Sequence, residues 1–213
     1  ISRYSQSGTR SFYNVSANGV ELGSFSMNVS GLHNAKNSLS VIAFLIDQGY
    51  SVKDVKDALS EFSGTKRRME AIGKNSKGLI IVDDYAHHPE EIKKTLSTIK
   101  ESYPGKKIVC VFQSHTFSRT SALMSDFSKS FYDANLLILL PVFSSKREEV
   151  DDVDEYNGKM VQEFLNNRSD VLFLKSTNDV IEYVNKNLKP EECVLVTMGA
   201  GNVYKLAYDL KLL

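Results

Sequence analysis

Three of the four histidines in this 213-residue chain fall in two short polar segments. These are Asp83-Asp84-Tyr85-Ala86-His87-His88-Pro89 and Gln113-Ser114-His115-Thr116-Phe117-Ser118-Arg119-Thr120. The fourth, His33, lies in Gly31-Leu32-His33-Asn34-Ala35-Lys36-Asn37. Imidazoles beside carboxylates and a guanidinium are the groups that exchange protons near neutral pH and bind anions. Each also has an ordinary structural use. Asp83 and Asp84 suit a strand end and a helix cap, and Asn34 and Asn37 suit caps as well. His87 and His88 are adjacent, so in extended chain at most one faces a given site. Arg119 at a helix start opposes the helix dipole, which favours an anion-binding role. Lys66-Arg67-Arg68 reads as solvated linker, and Gly199-Ala200-Gly201 carries only half of a dinucleotide fingerprint.

The two histidine-bearing loops each follow an apolar run. Such runs occur at 78–83, 107–112, 136–142, 171–174 and 193–197, rich in Val, Ile and Leu. All but the last lack clean alternation, as strands covered on both faces do. Helix-like stretches at 89–102, 119–133, 152–166, 177–188 and 202–212 separate or follow them, with Pro89 in a first-turn position. The alternation predicts an α/β domain over residues 65–213, with a mostly parallel sheet of about five or six strands. Ligands of such open sheets sit outside the carboxyl ends of the strands. The loops at 83–89, 113–120, 144–148 and 199–202 are therefore where chemistry belongs.

Residues 1–64 read differently. A hairpin is predicted over 11–29 around Asn18-Gly19, with a bulge at the phase slip near Gly23. A helix follows, with Ala35, Leu39, Ile42 and Ile46 on one face and Gly49 as its stop. A second helix is capped by Ser51 with Asp54 three residues on, and Val52, Val55, Leu59 and Phe62 share a face. This is too little for a doubly wound domain and reads as the end of a preceding one. The boundary falls at Ser63-Gly64-Thr65-Lys66-Arg67-Arg68.

Composition narrows the function classes. Twenty-six basic residues balance twenty-six acidic ones, which removes the basic footprint of a general nucleic-acid binder. With 42% hydrophobic and 24% charged residues, the chain is not of the disordered class. The longest apolar run, Leu136 to Phe143 with Pro141 inside it, is short of the ~20 residues of a membrane helix. No signal segment opens the chain. Cys110 and Cys193 sit within apolar runs and read as buried thiols of a reducing compartment. A soluble cytoplasmic domain is expected, with no nucleic-acid or membrane partner.

Taken together, the motifs resemble those of the Mur ligases. They are Gly31-x-His33-Asn34-x-x-Asn37, Phe62-x-Gly64-x-x-Arg67-Arg68, Asp83-Asp84-Tyr85-Ala86-His87-His88-Pro89-x-Glu91-Ile92, Phe112-Gln113-x-His115-x-x-Ser118-Arg119-Thr120 and Gly199-Ala200-Gly201. The resemblance runs from about residue 10 to the end, and within the family it is to the branch that joins L-alanine to UDP-N-acetylmuramate. It implies three domains: one for the UDP-sugar, a central ATPase, and a C-terminal Rossmann-like domain for the amino acid. Residues 1–64 then match the end of the central ATP-binding domain, and residues 65–213 the C-terminal one. The family's phosphate loop and magnesium-binding glutamate and histidine have no counterpart in this sequence. The chain is accordingly expected to be a fragment, inactive by itself.

The implied reaction uses ATP and Mg2+ to form an amide through an acyl phosphate. By motif position, Asn34 and Asn37 match adenine-contacting residues, Asp84 the acid on the ribose, and Arg68 the arginine that reaches the γ-phosphate. Tyr85, His87, His115 and Arg119 match the amino-acid side. Arg119 is implied to hold the alanine carboxylate, and His87 or His115 to position the amine or take its proton. Arg68, His87 and Arg119 are the expected catalytic set. Thr116 stands where some members carry a second arginine, and Ser144-Ser145-Lys146-Arg147-Glu148 departs from the pattern, with no role beyond lining the cleft. Closure about Ser63-Gly64-Thr65 is expected to complete the site. Two rival readings are a metal-dependent phosphohydrolase built on Asp83, Asp84, His87, His88 and His115, and a non-catalytic nucleotide-binding module.

Overall fold

The computed structural model describes residues 1–144 and 152–213, in a chain that divides into two compact units, Ile1–Lys66 and Arg67–Leu213. The N-terminal unit opens with three antiparallel strands, β1 (Ser2–Ser7), β2 (Arg10–Ala17) and β3 (Val20–Met27), in that order across the sheet. Asn18 and Gly19 turn the hairpin with φ of 50° and 80°, the positive pair that a tight two-residue turn needs. Pairing shifts where Val15 faces Gly23 and Ser16 faces Glu21, leaving Leu22 as the extra residue of a bulge. β1 goes beyond the expected hairpin. It is polar and largely exposed, an edge strand with no apolar period to announce it.

Helices α1 (Leu32–Asp47) and α2 (Val52–Glu61) complete this unit. Ala35, Ile42, Val55 and Leu59 pack with Tyr13, Val15, Phe25, Met27 and Val29. Within that core the Tyr13 hydroxyl meets Ser38 Oγ at 2.6 Å, while Ser38 itself donates to the Ala35 carbonyl at 2.7 Å. Met27 Sδ lies 3.0 Å from the same Tyr13 oxygen, so the hydroxyl is buried without being orphaned. Ser51 caps α2 by accepting from the Asp54 amide at 3.1 Å.

The C-terminal unit has a six-stranded sheet. Its strands are β4 (Glu70–Lys74), β5 (Ile80–Asp84), β6 (Lys107–Phe112), β7 (Leu136–Leu139), β8 (Val171–Phe173) and β9 (Cys193–Met198). The order is β4-β5-β9-β6-β7-β8, with β4 antiparallel to β5 and every other pair parallel. This is the expected α/β architecture, with β4 as an added antiparallel edge. Helices α3 (Pro89–Ser102), α4 (Phe117–Ala122), α5 (Met124–Ser128), α6 (Val153–Leu165), α7 (Thr177–Asn187) and α8 (Tyr204–Lys211) cover it. The helix expected over 119–133 is thus two short ones, parted at Leu123.

Two apolar layers sandwich the sheet. On one face Ile92, Leu96 and Ile99 of α3, Phe127 of α5 and Phe164 of α6 pack on Val82, Cys110 and Val196. On the other, Val180 and Val184 of α7 and Leu206 and Leu210 of α8 pack on Ile81, Val109 and Leu195. The chain leaving β5 thus goes to one face and the chain leaving β9 to the other. Neighbouring strands whose exits part in this way open a crevice at their carboxyl ends. Cys110 and Cys193 are buried free thiols. Among the described residues no helix is long and apolar enough to cross a membrane.

Candidate functional site

β5 ends in two buried carboxyl groups, Asp83 and Asp84, which face opposite sides of the sheet. Asp83 Oδ1 accepts from Thr197 Oγ1 on the adjacent β9 at 2.5 Å, and its Oδ2 lies 3.5 Å from Arg67 Nε. Neither that Nε nor that Oδ2 has a hydrogen-bond partner. Burial pushes the Asp83 carboxyl up to about 6, against the opposing pull of the Thr197 hydroxyl and the Arg67 charge. Asp84 accepts from the Met69 amide at 2.7 Å, the Ala86 amide at 2.7 Å and Thr95 Oγ1 at 3.2 Å. Burial also raises this carboxyl, against those three donors. A carboxylate offers about four acceptor positions, so three are already committed to bracing the turn into α3.

Beyond the carboxylates the loop turns outward. The Tyr85 ring meets the His87 ring edge-on, with centroids 5.0 Å apart, and both Arg67 and Arg68 lie over it at 4.8 and 5.5 Å. Arg68 keeps 54% of its side chain exposed, with Glu91 Oε1 at 3.9 Å. His87 Nδ1 is 3.0 Å from the Tyr85 carbonyl, which can only accept. The proton is therefore assigned to Nδ1, which leaves Nε2 of the neutral ring with a lone pair for a ligand. Glu91 Oε2 accepts from the His87 amide at 3.1 Å and sits 3.4 Å from Nδ1, holding the ring from behind. His88 turns away, and its ring nitrogen caps α3 by accepting from the Glu90 amide at 3.4 Å.

The loop after β6 is tied to β9 and to the chain beyond β7. The Gln113 amide donates to Met198 O at 3.0 Å and the Thr116 amide to Phe143 O at 3.0 Å. The His115 ring stacks on Phe143, with centroids 5.5 Å apart and planes 16° from parallel. Arg119 is exposed on α4. Between the two loops runs Gly199-Ala200-Gly201. A Cβ on Gly199 (φ 139°) would lie 2.2 Å from the Gln113 carbonyl oxygen, and one on Gly201 would lie 2.8 Å from Phe143 Cγ. These glycines are required by close contact between strand ends rather than by a dinucleotide.

The structure thus gathers Arg68, Tyr85 and His87 into one cluster above buried Asp84. β6 lies two strands from β5, about 10 Å, and its exit carries His115 on the loop and Arg119 on α4 just beyond it. Asn34 and Asn37 belong to the N-terminal unit. Asn34 Nδ2 donates to Ser30 O at 2.8 Å, and Asn37 is exposed. Ser145 to Glu148 lie outside the described residues. Two contributors were not legible as such. Arg67 is no solvated linker residue, since its contacts come from Tyr204 and Gly199, far along the chain. Glu91 stands in the motif Asp83-Asp84-Tyr85-Ala86-His87-His88-Pro89-x-Glu91-Ile92 but was given no role there.

The donor set does not suit a metal. Asp83 Oδ1 is engaged by Thr197, Asp84 by Met69, Ala86 and Thr95, and the His88 ring by a helix cap. Among the described residues no three His, Cys, Asp or Glu side chains converge as a metal site. Among the described residues the ligand cluster that the hydrolase reading needs is therefore not assembled.

Comparison with known proteins places this geometry. The family described as Mur ligase, glutamate ligase domain, matches residues 67–201. The UDP-N-acetylmuramate–L-alanine ligase of Desulfitobacterium hafniense is 39% identical over 197 residues, 92% of this chain and 43% of the relative. That of Caldanaerobacter subterraneus is 37% identical over 203 residues, 95% of this chain and 43% of the relative. Among solved structures, the UDP-N-acetylmuramate–alanine ligase of Thermotoga maritima superimposes with a TM-score of 0.80 at 25% identity, over 98% of this chain and 44% of that one. A murein peptide ligase from Psychrobacter arcticus gives 0.60 at 26% identity, over 97% and 42%. The chain spans less than half the length of each of these relatives. With more than half its length matched by the family model and relatives of that family above 30% identity over nine-tenths of it, this chain belongs to the Mur ligases.

Proposed function

We propose that the chain is the amino-acid-side part of a cytoplasmic, ATP-dependent ligase that joins L-alanine to UDP-N-acetylmuramate in peptidoglycan precursor synthesis. One observation carries this reading: relatives bearing that name are 34–39% identical to the chain over about nine-tenths of its length. On this reading residues 1–64 are the end of the central ATP-binding domain and residues 65–213 the C-terminal domain.

The reaction then runs in two steps. The muramate carboxylate attacks the γ-phosphate of ATP, giving an acyl phosphate and ADP. The alanine amine next attacks the acyl carbon, phosphate leaves, and the amine proton is lost. This chain's residues act by orientation and charge. Arg68, half exposed beside Tyr85, offers a guanidinium fork to phosphate oxygens. Asn34 and Asn37 are assigned to the adenine, and the remaining acceptor position of Asp84 to the ribose. Arg119 holds the alanine carboxylate across the crevice. His87, its ring oriented by the Nδ1 contact to the Tyr85 carbonyl, is assigned through Nε2 to accept the amine proton or orient the amine, with His115 opposite. Mg2+ when bound screens the triphosphate charge, and its ligands are assigned to the part of the enzyme outside this chain. The 213-residue polypeptide alone is expected to carry no ligation.

The test is phosphate release by the full-length protein with ATP, UDP-N-acetylmuramate and a panel of amino acids and murein peptides. L-Alanine is expected to be the preferred acceptor, and preference for a peptide would overturn the assignment. In the same assay Arg119→Ala is expected to raise the KM for alanine roughly ten- to hundredfold, the loss of one charge-assisted contact. A rise in the KM for ATP instead would remove Arg119 from the carboxylate.

A further inference from the structure

Arg67 has no part in the mechanism above, yet its surroundings are built. Its side chain is 22% exposed, and its guanidinium carbon lies over two rings, 4.8 Å from the centroid of Tyr85 and 4.6 Å from that of Tyr204. From there it donates to the carbonyls of Gly199 and Ala200, with Asp83 behind Nε. Its backbone is engaged as well. The amide donates to Glu70 Oε2 at 2.8 Å, and the carbonyl accepts from the Tyr85 amide at 2.7 Å. A single residue thus ties the entry to β4, the end of β5 and the turn after β9. Lying over two aromatic rings while offering separate N–H groups to two carbonyls suits the fixed fork of a guanidinium and not the point charge of an ammonium. The neighbouring Arg68 rests on the same Tyr85 ring but remains half exposed.

We propose that Arg67 is a positioning residue: by fixing the Tyr85 ring and the Gly199-Ala200 turn, it holds the exposed Arg68 guanidinium where a nucleotide phosphate is bound. The proposal rests on the reading of Arg68 as the phosphate-binding arm. It does not rest on the identity of the amino acid. Arg67 touches no ligand itself and acts through Tyr85.

The experiment is calorimetric binding of the non-hydrolysable ATP analogue AMP-PNP to the full-length protein. The forms compared are the parent, Arg67→Lys, Arg68→Ala, the double variant, and Tyr204→Leu, which removes one face of the stack. Arg67→Lys is expected to weaken the Kd about tenfold with the number of sites per protein unchanged, and Tyr204→Leu to weaken it in the same direction. Added to Arg68→Ala, Arg67→Lys is expected to cause no further loss, because the group it positions is already gone. A Kd within about twofold of the parent overturns the proposal. So does a full additional loss in the double variant, or fewer sites at unchanged Kd, the mark of a scaffold only. Should Arg67→Lys not fold, Tyr204→Leu decides by the same Kd criterion. Alanine-dependent turnover, measured in parallel, separates the two readings. The expected Kd pattern without such turnover removes L-alanine as substrate and leaves Arg67 its role. Turnover with an unmoved Kd removes the role alone. A parent that binds no AMP-PNP removes both.

Discussion

Asp83 is a carboxyl group held out of water with one oxygen unbonded, and that has a measurable consequence. Its folded pKa, about 6, lies above the ~3.9 of an unfolded aspartate, so the native state binds the proton more tightly. Stability from this group is fully present below about pH 4, falls as pH rises to about 6, and stays lost above that. The gap between those two values corresponds to roughly 2–3 kcal/mol. Asp83→Asn keeps an acceptor for Thr197 and removes the titration. Between pH 4 and pH 7 the parent is expected to lose roughly 2 kcal/mol relative to Asp83→Asn, as followed by urea unfolding. A difference that does not change with pH would show that Asp83 ionises like an ordinary aspartate. Residue types were legible here from the sequence alone, but residue duties were not. Thr197 lies 114 positions from Asp83, and Tyr204 is farther still from Arg67, so nothing local distinguishes a clamped arginine from a solvated one.

At the scale of the element, the most informative departure is the start of α4. Thr116 has φ 66° and ψ 140°, a region that a β-branched residue rarely occupies. It is held there because its amide donates to Phe143 O while its carbonyl accepts from the Thr120 amide and hydroxyl, at 3.1 and 2.7 Å. Glycine at this position would remove strain of about 1–3 kcal/mol and cost about 0.5–1 kcal/mol in unfolded-state entropy. Thr116→Gly is therefore expected to stabilise the protein by about 1 kcal/mol in chemical denaturation. Destabilisation would mean that the threonine methyl or hydroxyl makes a contact worth more than the strain. The same element shows what periodicity conveys. The parallel strands were legible because burial on both faces makes them continuous apolar runs. β1 and β4 were not, being polar or exposed edges. A single helix was expected over 119–133 because helical spacing persists across Leu123, although the backbone breaks there.

At the scale of the whole molecule, the distribution of buried apolar side chains differs sharply between the two units. In the C-terminal unit both faces of the sheet are covered, and the two layers are formed entirely by residues from Met69 onward. Burial of this kind scales with size, and a domain of about 150 residues hides enough surface to fold alone. The N-terminal unit has one cluster, between Tyr13 and Leu59, while Val41 and Phe44 on α1 remain 48% and 63% exposed. Sixty-odd residues with a single small core are marginal by the same scaling. The polypeptide 67–213 is therefore expected to fold by itself, with dispersed amide resonances and one cooperative urea transition. In the 213-residue chain, amides of β2, β3 and α1 are expected to exchange faster than those of β5, β6 and β9, because they open with the weaker unit. Exchange from both groups at one common free energy would make the chain a single cooperative body. A molten 67–213 would mean that its two covered faces do not suffice without the residues before Arg67.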